Sequence, residues 1–133
     1  MKKSLQTFLL LFIFIKCAQP KTEFVNSKAV EDVTKFNKKC PMMIDSETRI
    51  DAIEIKKPNT IIYKYTLVNL NVANVDTILF KETLRPGIIN TLKINPDLKG
   101  LRDLKANFEY YYKDRKNKYI YSFTVTPNDY KLK

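Results

Sequence analysis

Apolar positions along this chain follow three kinds of pattern: an unbroken run near the start, helical spacings of three to four, and alternations of two. The unbroken run is Phe8 to Ile15, preceded by Lys2 and Lys3 and followed by Lys16-Cys17-Ala18-Gln19-Pro20. A basic start, a short apolar stretch and a small-residue exit form the arrangement of a secretory signal peptide. Such a run rises about 12 Å as helix, well short of a bilayer core, so it predicts export and not a membrane span.

Helical spacing comes next. Val30, Val33, Phe36 and Cys40 form one stripe, Ser27 can cap it, and Pro41 stops it. From Thr48 the period shifts towards two. Ile50 and Ala52 alternate with Ile53 and Ile55 out of phase, so a bulge or burial on both sides is expected. Lys57-Pro58-Asn59-Thr60 is turn chemistry, and the alternation Ile61, Tyr63, Tyr65, Leu67 completes a hairpin. Val75, Ile78, Leu79, Leu84, Ile88, Ile89 and Leu92 then keep a helical spacing that Pro86-Gly87 should kink or split. Gly87 suggests a close approach of helix to sheet. Leu98, Leu101 and Leu104 follow on a short helix opened by Asn95-Pro96-Asp97. The last alternations are Phe108, Tyr110, Tyr112 and Tyr119, Tyr121, Phe123, Val125, joined by the loop Lys113 to Lys118.

These elements predict residues 1–18 as a signal peptide and 19–133 as a single α+β domain. The expected order is α-β-β-α(kinked)-α-β-β, with a four-stranded, mainly antiparallel sheet and helices on one face.

How the leader ends bears on anchoring. Cys17 is the lipidation candidate of a lipoprotein signal, although Lys16 fits poorly beside the cleaved bond. Cleavage after Ala18 would release a soluble protein instead. Both forms stay open, with an uncleaved membrane anchor behind them.

The segments Lys39-Cys40-Pro41-Met42-Met43-Ile44-Asp45 with Thr48-Arg49-Ile50-Asp51, Tyr63-Lys64-Tyr65-Thr66-Leu67-Val68-Asn69, Asn95-Pro96-Asp97-Leu98-Lys99 and Thr126-Pro127-Asn128-Asp129-Tyr130 carry a resemblance. In that order they resemble a group of small exported bacterial, lipoprotein-like proteins of unassigned function. The resemblance implies export to the periplasm or cell surface and a single domain; it implies no site residues.

Charge changes the picture little. The chain has 24 Lys and Arg against 14 Asp and Glu, and it remains basic without the leader. A basic exported domain is drawn to anionic surfaces, but scattered Lys is usually a solvated face. The absence of His removes the usual general base and the commonest metal ligand. Cys40 has no imidazole partner and reads as a buried, inert thiol. Cys40, Met42 and Met43 make a poor soft-metal cluster, because adjacent Met side chains point apart in a strand. Asp45, Glu47 and Asp51 depart from a calcium loop at Arg49, Ile50 and Lys56.

Only the aromatic hairpin looks like a binding surface. Phe108, Tyr110, Tyr112, Tyr121 and Phe123 read as core. Tyr111 is the expected exposed ring, and with Lys113, Arg115 and Lys116 it forms the candidate binding set. The expectation is a non-catalytic exported module for a protein or envelope component, tethered to the membrane if Cys17 is acylated. No cofactor, metal or nucleic acid is expected. The alternatives are a small cysteine- or carboxylate-based hydrolase and a secreted inhibitor or immunity-type protein that occupies a partner's groove.

Overall fold

A mixed sheet of five strands organises the protein in the computed structural model, which describes residues 27–131. The expected leader, Cys17 and both expected cleavage points lie outside the described residues. Among the described residues no helix is long and apolar enough to cross a membrane.

The strands are β1 (Met42–Met43), β2 (Thr48–Lys56), β3 (Thr60–Leu67), β4 (Asn107–Asp114) and β5 (Tyr119–Val125), and they lie side by side in chain order. Four strands were expected; β1 is the fifth. Two residues are too short to show a period, and β1 exists through its pairs Met42↔Ile50 and Met43↔Arg49. The sheet is also mixed. β3 and β4 run parallel, from Thr60↔Asn107 to Leu67↔Asp114, while the other pairs are antiparallel. Parallel pairing follows from the intervening helices, which carry the chain back to the end where β3 began.

Among the described residues four α-helices accompany the sheet: α1 (Ser27–Asn37), α2 (Thr77–Ile94), α3 (Lys99–Asp103) and α4 (Pro127–Tyr130). α1 ends at Asn37, short of Cys40, because Asn37 does strand-like work. Its side chain accepts from the Ile53 N–H and donates to the Ile53 carbonyl, both at 2.8 Å, covering the edge of β2 that β1 is too short to reach. Asp76 caps α2 by accepting from the N–H groups of Ile78 and Leu79.

One expectation about α2, a kink or a split at Pro86, is narrowed, and one is corrected. The helix is not split: it continues through Pro86 for 18 residues. Pro86 and Glu82 both lie on its exposed side, where water can take the carbonyl that loses its donor. Gly87 is not a close-approach residue either, since a Cβ built there meets nothing within 4 Å.

The sheet's inner face, under the helices, carries the core. Strand register lines up three rows across β2 to β5: Ile50, Tyr65, Tyr112, Tyr121; Ile53, Tyr63, Tyr110, Phe123; and Ile55, Ile61, Phe108, Val125. The phase shift in β2 is a bulge between Ile50 and Ala52, which keeps Ile50 and Ile53 on this same face. Phe80 of α2 meets Tyr112 edge-on, and Tyr130 of α4 meets Phe108 the same way.

Candidate docking groove and outer sheet face

α1 and α3 do not close over the sheet. Between them runs a groove of about 680 Å³. Its floor is Ile50, Ile53, Ile61, Tyr63 and Tyr65; its walls are Ala29, Val33 and Phe36 of α1, with Leu98, Leu101 and Leu104 from the α3 region. The stripe on α1 that the spacing predicts is therefore one wall, and it stays half open. Arg102 holds the other wall by donating to the carbonyls of Leu92, at 2.8 Å, and Asn95, at 2.6 Å, which fastens α3 to the end of α2. Lys28, Asp32 and Asp97 bring both signs of charge to the rim.

The tyrosines of the inner face form a stacked array. Ring centroids lie 5.3 Å apart for Tyr63 and Tyr110 and 5.2 Å for Tyr65 and Tyr112, with interplanar angles of 12° and 19°. Burial pushes the Tyr63 hydroxyl up to about 12 and raises those of Tyr65, Tyr110 and Tyr112 as well. None of these four hydroxyls has a hydrogen-bond partner among the described residues, whereas Tyr130 donates to the Ala106 carbonyl at 2.7 Å. No polar side-chain atom among those residues is both sealed from solvent and unpaired. The Tyr63 and Tyr65 hydroxyls are thus donors standing unused at an accessible floor.

Among the described residues no helix covers the outer face, whose central polar groups pair with one another. Asp51 accepts from Thr66 at 2.6 Å and Arg49 at 2.7 Å, and pairs with Lys113 at 3.2 Å. Burial alone would lift its carboxyl, but these hydrogen bonds outweigh that and hold it below the usual range. Lys64 pairs with Glu54.

The residues predicted for binding are brought to this side. Tyr111 is half-buried rather than the exposed ring, packed 5.3 Å from Tyr119 at 42°. The exposed ring is Tyr119, because the register of β4 and β5 shifts after Tyr112 and turns Tyr119 outward. Lys113 is committed to Asp51, while Arg115 and Lys116 are exposed at the hairpin tip. That tip is built on Asp114, a fully buried carboxylate that accepts from the N–H groups of Val72, Lys116 and Lys118 and is held well below its ordinary range by them.

The other candidates take structural places. Cys40 is half-buried, and burial followed by the charge of Asp51 raises its thiol, the reverse of activation. Met42 lies half-buried and Met43 exposed, on opposite faces. Asp45 closes a turn by accepting from the N–H groups of Glu47 and Thr48, each at 2.7 Å. Among the described residues no three His, Cys, Asp or Glu side chains come together as a metal site. The groove was missed as a unit because its walls lie some 70 residues apart in sequence, although each stripe was visible alone.

Solved structures share this fold. A candidate secreted protein from Pseudomonas aeruginosa superposes with a TM-score of 0.68 at 13% identity, covering 85% of this chain and 99% of its own. EpsS, a pilotin of the Vibrio vulnificus type 2 secretion system, gives 0.63 at 11% identity, covering 84% and 94%. AspS, a type II secretion system pilotin from Vibrio cholerae, gives 0.54 at 12% identity, covering 74% and 85%. Identities this low carry the fold alone. No curated protein matches the chain. A family model does, over residues 24–122 and so from just before α1 into β5: the chain belongs to the family described as "Domain of unknown function (DUF8479)".

Proposed function

We propose that this protein is an exported, non-catalytic docking module that holds an amphipathic segment of a protein partner in the groove between α1 and α3. The observation that carries this reading is the groove floor, where aliphatic side chains sit beside the unused hydroxyls of Tyr63 and Tyr65. An apolar face entering the groove gains burial from Val33, Phe36, Leu98 and Leu101, and carbonyl or carboxylate acceptors on it satisfy the hydroxyls. The pilotin structures support the reading, since two chains of this fold belong to type II secretion systems. Their setting also favours a periplasmic or surface location for this chain, reached through the leader at residues 1–18 and retained at the membrane if Cys17 is acylated. The raised thiol of Cys40 and its lack of a basic partner weigh against the hydrolase alternative.

Site-directed photocrosslinking in envelope preparations tests the reading. A crosslinker at Leu101 should give one dominant protein adduct, and Val33→Glu should abolish it while a melting curve shows the domain still folded. A crosslinker at Thr124, on the outer face, should not give that adduct. Equal adducts from both positions, or an adduct indifferent to Val33→Glu, would remove the groove from the function.

A further inference from the structure

We infer that the outer face at the β4–β5 tip is a second binding surface, independent of the groove, and that its ligand is an acidic glycan. Two features meet there. The first is aromatic: Tyr119 is 50% exposed and packs against Tyr111. Its hydroxyl shares a hydrogen bond of 3.1 Å with Ser122, which fixes the ring's direction on the edge strand. The second is cationic: Arg115, Lys116 and Lys118 are exposed, and none has a carboxylate within ion-pair distance among the described residues.

The tip presenting these charges is preorganised. Asp114 grips the Lys116 and Lys118 N–H groups at 2.7 and 2.9 Å, and Asn117 takes the left-handed conformation, φ 62°, that closes the turn. Lys113, in the same cross-strand row as Tyr119, shares Asp51 with Arg49, while at the tip Lys118 feels the charge of Asp114 and Arg115 and Lys116 have no ion pair among the described residues.

Ring and charge together select the ligand. The weakly positive C–H face of a sugar ring suits the negative face of an exposed tyrosine, and carboxylates along an acidic glycan suit three exposed cations carried on a preorganised turn. Stacked nucleobases would want parallel aromatic surfaces, but Tyr111 and Tyr119 are tilted by 42°. A lipid surface would want aliphatic side chains between the charges, and the tip offers Arg115, Lys116, Asn117 and Lys118.

Calorimetric titration of the full chain without its leader, using polygalacturonate, neutral dextran, single-stranded DNA and phosphatidylglycerol vesicles, tests the inference. Polygalacturonate should bind, dextran should not, and DNA and vesicles should bind at least tenfold more weakly. Tyr119→Ser should weaken polygalacturonate binding about tenfold, and the double variant Arg115→Glu, Lys116→Glu should abolish it, with melting temperatures unchanged. Val33→Glu should leave glycan binding intact, which separates a failure here from a failure of the groove reading. Equal binding of all three anionic probes, or indifference to Tyr119→Ser, would reduce the tip to a general basic patch and overturn the inference.

Discussion

The two faces of the sheet share one backbone and one register yet are stabilised in opposite ways. On the inner face, four tyrosines stack through their rings while their hydroxyls have no partner among the described residues. On the outer face, rows such as Arg49, Thr66 and Lys113 are joined through Asp51, with their polar ends matched to one another. Burial holds the first together and pairing the second. A face whose polar groups are already matched gains little from a partner, whereas a face with idle donors over an apolar floor can gain more. The contrast therefore separates the Asp51 network, built for the molecule's own stability, from the groove and the β4–β5 tip beyond that network, which are left open to ligands.

The largest effect that should expose the difference is truncation of a buried ring. Phe123 is 7% exposed and stacks on Tyr110 at 5.4 Å. Phe123→Ala should cost about 3–5 kcal/mol in chemical denaturation. Ser122→Ala, one residue away on the other face, should stay within about 0.5 kcal/mol. Similar losses at both positions would break the assignment of faces.

How much of this was legible in the sequence depends on the range of the interaction. The inner rows follow from alternation within each strand, so Ile61, Tyr63, Tyr110 and Phe123 could be placed from sequence. β1 could not be, because Met42 and Met43 make a strand only through pairs to Ile50 and Arg49. The outward turn of Tyr119 depends on a register shift that alternation cannot show. The parallel β3–β4 pair is set by how the helices return the chain, and Asp114 matters because a distant N–H, that of Val72, comes to it. Of the candidate site, the separate stripes on α1 and α3 were visible. Their facing each other across Tyr63 and Tyr65 was not, since no local pattern encodes that distance.

The next effect is smaller and belongs to the outer face. Asp51→Ala leaves Arg49, Thr66 and Lys113 without their shared acceptor, and should cost about 1–3 kcal/mol. If the loss is negligible, the network is ornamental and the outer face is held by its backbone alone.

Titration should separate the faces by pH. Asp51 is held below its unfolded value, so it contributes stability above about pH 4, which is lost as pH falls through the lower folded value. The inner tyrosines are shifted the other way. Their contribution is full below an unfolded value of about 10 and is lost as pH rises towards their folded values, near 12 for Tyr63. Melting curves across pH should show acid loss reduced in Asp51→Ala and alkaline loss reduced in Tyr63→Phe. Unchanged alkaline behaviour in Tyr63→Phe would mean that its hydroxyl titrates as if exposed.

The smallest stability effect should be the most telling for function. Tyr65→Phe removes a hydroxyl with no partner among the described residues while keeping the ring, which stacks on Tyr112 at 5.2 Å. No hydrogen bond within the described residues is broken, and the ring keeps its burial. The melting free energy should therefore move by less than about 0.5 kcal/mol in either direction. The partner should notice what the fold does not. If an acceptor on the docked segment uses this hydroxyl, that acceptor is left buried and unpaired in the variant, and the crosslink from Leu101 should weaken several-fold. A tyrosine kept only for packing would leave both stability and crosslinking unchanged, and the idle hydroxyls would then be a by-product of ring stacking.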